Sequence, residues 1–432
     1  MCSIGEEDFG DNGGAHSMPV DPKLKSSEYI SNEICKKCKE RNVVVKLNLR
    51  DAQCEQCFLQ YIRHKFRATM GATRIIDRGA KVLLVFENTK ESCVMFDMVQ
   101  YSVTQEKFKR LAIEPIAVFV DNCCLTQKSS EEREIFLHQI FKVMDYFKFK
   151  AYFTSIAGAS AIDIENAIDY VASDVNSAME NKFIEKMNAI EKQSAKEDFL
   201  SISRSNVIRE VSSIVNCKYA FVSTICHDIA ANLLINVALG RGNSVASEIS
   251  FCDDRTVCDS KILRPMRTIT ALEIETYLRL NANLTKLIRT NNDIFNNKCS
   301  SLSVPSVQNL TRQFIQNLQE NFDSTVSTVF RTGDKIATVS SIKPSAQNLH
   351  CKFCHSVLDY ENSATLFAIE YSRCVSACVD PEELNDSDLM FKRAQNQLLG
   401  QDDDDESSSE NLMKFLCHGC RNIFRNLDNA DL

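Results

Sequence analysis

An α/β protein with a parallel sheet flanked by helices, and a small four-cysteine module toward each end, is the fold class this 432-residue sequence predicts. Two observations predict it. Over residues 82–156, apolar runs one strand long alternate with helical patterns, and a βαβαβ order of that kind builds parallel strands with helices on both faces. Toward either end cysteines recur in CxxC pairs, a spacing that lets two knuckle turns aim four thiolates at one metal ion.

Residues 1–32 hold six acidic and two basic residues and no apolar run behind a basic one, which predicts a flexible acidic tail without a signal peptide. Residues 33–70 form the first module. Fifteen residues separate the pair Cys35 and Cys38 from the pair Cys54 and Cys57, and soft thiolates in a tetrahedral set suit Zn²⁺. Lys36, Lys37, Lys39 and Arg41 crowd the first pair, and their field favours thiolates. Two disulfides are the alternative, disfavoured because nothing in the chain points to an oxidising compartment. A helix over Phe58–Met70 leaves the module, with Phe58, Tyr61, Ile62 and Phe66 on one face and Arg63, His64, Lys65 and Arg67 between them. Residues 33–81 carry twelve Lys or Arg against five Asp or Glu, although the whole chain has a net charge of −8. Two readings stand for this basic stretch: a solvated helix face, or a surface for nucleic-acid phosphates.

Residues 71–340 supply the α/β domain. Strands are expected at Val82–Phe86, Pro115–Asp121 and Ala151–Ile156, with helices at Ser92–Glu106 and Glu131–Phe149. Ligands of such sheets lie at the carboxyl ends of the strands, so the loop Glu87–Glu91 and Asp121 are expected to line one crevice. Residues 160–196 read as a charged, helical insertion. Tyr219–Ile225 is a further strand candidate, followed by a helix over His227–Leu239 that buries Ile229, Leu233, Leu234 and Val237 and stops at Gly240 and Gly242. Arg264, Pro265, Met266 and Arg267 then lead into a helix near Thr270–Leu280.

In residues 341–432, Cys351 and Cys354 stand 62 residues before Cys417 and Cys420, around an acidic, serine-rich piece (Asp402–Glu410) expected to be disordered. A second Cys₄ zinc site is the expectation, with Cys374 and Cys378 as an alternative to one of its pairs. No apolar run approaches the ~20 residues that span a bilayer, and nineteen cysteines suit a reducing cytoplasm.

Several separated stretches together resemble one family. The basic CxxC module, HKFR (His64–Arg67), the strand and loop at 82–92, ALGRG (Ala238–Gly242), SEISFCDDR (Ser247–Arg255), LRPMR (Leu263–Arg267) and the terminal CKFC and CHGC look like the cytoplasmic tRNA 2-thiolation protein 2 family, over roughly residues 33–425. The resemblance implies a PP-loop ATPase-like fold and a cytoplasmic heterodimer with a catalytic PP-loop subunit, tRNA thiolation protein 1. It further implies that this complex replaces O2 of the wobble uridine with sulfur in tRNAs for Lys, Glu and Gln, the sulfur coming from a thiocarboxylated ubiquitin-related modifier.

One departure sets the role expected of this chain. An active PP-loop turns on glycines whose amides cradle ATP phosphates, whereas the equivalent positions here are Glu87, Asn88, Thr89, Lys90, Glu91 and Ser92. Two carboxylates repel pyrophosphate, and Lys90 is a single compensating charge. Active thiolases of this kind also use a CxxC in the sheet region, and residues 82–300 have eight cysteines without one. ATP binding and catalysis are therefore not expected of this subunit, which instead presents tRNA through Arg63, Lys65 and Arg67, with Arg241, Arg264 and Arg267 as further contacts. The competing readings are a sulfurtransferase that acts alone with an unusual ATP site, and a zinc-clipped scaffold that touches only proteins.

Overall fold

The computed structural model describes residues 34–46, 52–106, 110–126, 128–253, 255, 260–291, 305–322, 324–336, 350–358 and 415–424. The chain divides into two units, Met1–Gln60 and Tyr61–Leu432. In the first, β1 (Val45–Lys46) and β2 (Ala52–Gln53) pair antiparallel. Helix α1 (Glu55–Thr73) buries Phe58, Ile62, Phe66 and Met70, the four-residue spacing that keeps side chains on one helical face.

The second unit is built on a seven-stranded sheet in the order β6-β5-β4-β3-β7-β9-β8. Five strands run parallel: β3 (Ala80–Phe86), β4 (Ile113–Asp121), β5 (Lys150–Ser155), β7 (Tyr219–Phe221) and β9 (Lys261–Leu263). The edges, β6 (Gly158–Asp163) and β8 (Cys252–Asp253), are antiparallel. The chain builds outward from β3 through α2 (Lys90–Val103), β4, α3 (Ser130–Tyr146) and β5, then returns to add β7 on the other side of β3. The order therefore reverses between β3 and β7, and that reversal opens the crevice of a doubly wound sheet.

Alternation along the central strands sorts the two faces. Phe86 and Phe119 point to one side and meet Phe96 of α2, Phe136 of α3 and Phe153 at centroid distances of 5.7–6.3 Å. Leu83, Val85, Val118 and Val120 point to the other and pack with Phe199, Ile202 and Ile208 of α6 (Gln193–Ile214). That second face also receives the C-terminal cysteine module, through Leu416, Ile423 and Phe424. Burying both faces explains why these strands read as continuous apolar runs.

Where expected and observed elements differ, local chemistry gives the reason. Helix α3 ends at Tyr146, because Lys148 turns through φ +55° to enter β5. Residues 158–163 of the expected helical insertion are the edge strand β6, followed by α4 (Ala167–Val171) and α5 (Asp174–Ala189). Strand β7 stops at Phe221, since Ser223 leaves the ladder to bond a side chain of the β3 loop. Helix α7 (Cys226–Ala238) closes on Gly240 alone, at φ +73°; Gly242 does not adopt a left-handed conformation.

Candidate functional site

The first cysteine group lies wholly in the first unit. A knuckle holds one pair: the Lys39 N–H donates to the Cys35 carbonyl at 2.8 Å while Lys39 turns left-handed at φ +59°. The other pair flanks the start of α1, where the Phe58 N–H donates to the Cys54 carbonyl at 2.9 Å. All four sulfurs lie within 4.8 Å of one another, and Cys38 and Cys54 are 3.8 Å apart. A Zn–S bond of about 2.3 Å places tetrahedral sulfurs about 3.8 Å apart, so the spacing fits such an ion. Lys36, Lys37, Lys39 and Arg41 are exposed around this pair.

The second group repeats that backbone plan. His355 donates its N–H to the Cys351 carbonyl at 3.0 Å and turns left-handed at φ +59°, while Arg421 N–H reaches the Cys417 carbonyl at 3.0 Å at the start of the helix His418–Phe424. Even the strut between the pairs recurs, with Lys36 N–H to the Ala52 carbonyl in one and Lys352 N–H to the Phe415 carbonyl in the other. Cys351, Cys354, Cys417 and Cys420 also have sulfurs within 4.8 Å of one another, so both groups can hold a metal ion. Cys374 and Cys378 lie outside the described residues.

Three of the arginines expected to touch tRNA are buried in internal pairs. Arg241 is 4% exposed, donates to both carboxylate oxygens of Asp198 at 2.7–3.1 Å, and points Nη1 and Nη2 at the Cys420 sulfur at 3.5 and 3.6 Å. It is the cation beside the second cysteine group. Arg264 donates to the carbonyls of Ser247 and Ser250, and Arg267 to Asp334 at 2.6 Å with its guanidinium over Phe330. Arg255 and Arg209 clamp the buried Asp253 carboxylate at 2.6–2.9 Å. The ALGRG, SEISFCDDR and LRPMR stretches thus share an internal electrostatic role. The other three lie on α1, each half-buried. Arg63 stacks over the Tyr101 ring at 3.7 Å, and the Lys65 ammonium reaches both oxygens of Glu273 at 2.8 Å.

In the loop after β3, Glu87 carries the main interaction. Its carboxylate accepts the Ser223 hydroxyl at 2.5 Å and the Ser223 N–H at 3.3 Å, and lies 3.6 Å from the Arg204 guanidinium. Thr89 caps α2, and the Ser92 hydroxyl, fully buried, donates to the Thr89 carbonyl at 2.7 Å. The crevice partner of this loop is therefore the chain after β7. Asp121, expected beside the loop, is instead buried against Arg133, which bridges it to Glu180 at 2.6 Å on each side. Strand order explains this correction, since the reversal lies between β3 and β7, not between β3 and β4.

The described cysteines outside the two groups lack the environment of a nucleophile. Burial pushes the Cys124 and Cys226 thiols up to about 12, and Cys93 and Cys123 upward as well. Asp228 is not the N-cap of α7; it is the third helical residue, and its carboxylate accepts the Ile225 N–H at 3.0 Å. Asp198, Arg204 and Ser223 escaped the sequence reading. A charge set inside the apolar stripe of α6 was the available signal for the first two.

Sequence comparison decides the family. Cytoplasmic tRNA 2-thiolation protein 2 of Aedes aegypti is 37% identical over 456 residues, spanning 99% of this chain and 100% of that protein, and its Drosophila melanogaster namesake is 38% identical over 439 residues. This chain belongs to that family. A profile of the family, described as cytoplasmic tRNA 2-thiolation protein 2, matches residues 306–422. Among solved structures, the U34-tRNA thiolase NcsA from Methanococcus maripaludis with its 4Fe-4S cluster is similar, with a TM-score of 0.50 at 16% identity over 76% of this chain and 97% of that one. The likeness to that thiolase is one of fold. No helix among the described residues is long and apolar enough to cross a membrane.

Proposed function

We propose that this chain is the non-catalytic, tRNA-presenting subunit of a complex that 2-thiolates wobble uridine. The observation that carries the reading is Glu87. A chain 37% identical over its length to tRNA 2-thiolation proteins and folded like a tRNA thiolase holds its own carboxylate where a nucleotide-binding loop would need phosphate. Thiolation needs the uridine oxygen made into a leaving group. Adenylation does that, so the ATP-binding work falls to the catalytic partner, tRNA thiolation protein 1, with a ubiquitin-related modifier supplying sulfur in the cytoplasm.

Both cysteine groups hold structural zinc in this reading, because four buried or half-buried thiolates at tetrahedral spacing leave no open ligand position. Docking of tRNA phosphates falls to the basic stretch 33–81. Lys36, Lys37 and Lys39 are exposed there, with Arg63, Lys65 and Arg67 on α1 as the helical part of the surface. Arg241, Arg264 and Arg267, buried in internal contacts, leave that role.

Single-turnover tRNA thiolation with the purified chain, with its catalytic partner, and with both tests the reading. Product only in reactions that contain the partner, and more of it when this chain is present, is the expected result. Sulfur transfer by this chain alone overturns it.

A further inference from the structure

Past the carboxyl ends of β4 and β5 lies a cavity of about 380 Å³, lined there by Asn122 and Ile156. Its other walls are α6, α7 and the helix Val307–Asn321. No residue of the loop Glu87–Ser92 lines it. The volume is that of a small-molecule site.

Its polar groups are only partly spent. Arg209 is 3% exposed; Nη2 donates to Asp253, yet its buried Nε has no hydrogen-bond partner. Arg204, on the same helix, leaves Nε and Nη2 without a hydrogen bond, its nearest carboxylate being Glu87 at 3.6 Å. Two acceptors are unspent as well. Gln308, 4% exposed, commits its Nε2 to the Ser194 carbonyl at 2.8 Å, and Asn206 commits Nδ2 to the Phe353 carbonyl at 2.9 Å. Those bonds fix both amides, so Gln308 Oε1 and Asn206 Oδ1 are left as buried acceptors without donors.

Buried polar atoms in folded proteins are paired, and so many unpaired ones around one void call for a ligand. The carboxylates in the wall are occupied: Asp198 holds Arg241, Glu248 holds Arg255 at 2.6 Å, and Glu197 faces Arg312 at 3.9 Å. The ligand must therefore bring an anion to Arg204 and Arg209, N–H or O–H donors to Asn206 and Gln308, and a flat or apolar part to lie against Ile235 and Leu239. Inorganic phosphate meets only the first need. We infer that the cavity binds a single phosphorylated nucleoside, either free or as one nucleotide of an RNA strand.

Calorimetric titration of the full chain with uridine 5′-monophosphate, adenosine 5′-monophosphate and inorganic phosphate tests this. One nucleotide is expected to bind with a Kd below about 1 mM, and tighter than phosphate. Arg204 is a quarter exposed, so Arg204→Gln keeps the fold, which thermal unfolding verifies, and weakens the nucleotide about tenfold. Gln308→Leu weakens the nucleotide but not phosphate. Competition by a short single-stranded RNA identifies the strand as the source of the nucleotide; its absence identifies the free form. No heat with either nucleotide, or equal affinity in the folded Arg204→Gln and Gln308→Leu variants, overturns the inference. Charge reversal at Lys36, Lys37 and Lys39 leaves this binding unchanged, which separates it from tRNA docking.

Discussion

Glu87 and Ser223 close the crevice between β3 and β7, the glutamate accepting both the hydroxyl at 2.5 Å and the backbone N–H at 3.3 Å of the serine. A backbone amide, a hydroxyl and a nearby arginine are the donors that a phosphate oxygen would use. Here they serve an internal carboxylate. Titration of the full chain with ATP and Mg²⁺ is expected to give no heat, and Glu87→Ala is expected to cost about 1 kcal/mol of stability by leaving Ser223 without its acceptor. Millimolar or tighter ATP binding by the unmodified chain would mean that Glu87 moves aside.

Exposed charge on the first knuckle gives the second prediction. Replacing Lys36, Lys37 and Lys39 by Glu changes side chains that face solvent, so the module keeps its fold. Affinity for tRNA should fall, and its logarithm should depend less steeply on salt by roughly one unit for each phosphate no longer neutralised. Fluorescence anisotropy at several salt concentrations measures both. Unchanged slope and affinity would remove the knuckle from the docking surface.

The βαβαβ core was legible in the sequence because its strands are buried on both faces and its helices carry capping residues such as Thr89 and Ser129. Both cysteine groups were legible for a different reason. Metal geometry fixes CxxC whatever lies between the pairs, even across 62 residues. The partners of the arginines were not legible. Arg241 lies 43 residues from Asp198, and Arg209 lies 44 from Asp253, and a lone arginine in sequence carries no sign of whether it faces solvent or a buried acid. The same blindness hid the Glu87–Ser223 pairing, which spans 136 residues.

Arg241 ties the second cysteine group to α6. In Arg241→Met the buried Asp198 and the Cys420 sulfur are both left without their cation, a change worth about 3–5 kcal/mol. Arg241→Lys should fall between, since an ammonium keeps the charge but not the fork that spans both partners. Thermal unfolding and the rate of metal release to a chelator report the two effects. Release from the first group should stay at its original rate, and equal stability of the three proteins would contradict the role of Arg241 as a tie.

Asp253 sets an acid limit on the fold. Burial opposes its charge, yet Arg255, Arg209 and Arg264 around it hold the carboxyl well below its ordinary value of 3.8. A carboxyl depressed in the folded state adds stability that is complete above the unfolded value and drains away as pH falls toward the folded one. Between pH 7 and 5 the contribution is therefore constant, and below about pH 4 it declines. Asp253→Asn removes it and leaves three buried guanidinium groups short of an anion, so at pH 7 the variant should be less stable by at least about 3 kcal/mol. The difference in urea midpoint between the two proteins should hold from pH 7 to 5 and narrow toward pH 3. A difference that stays constant down to pH 3 would show that Asp253 is not the charged partner of these arginines.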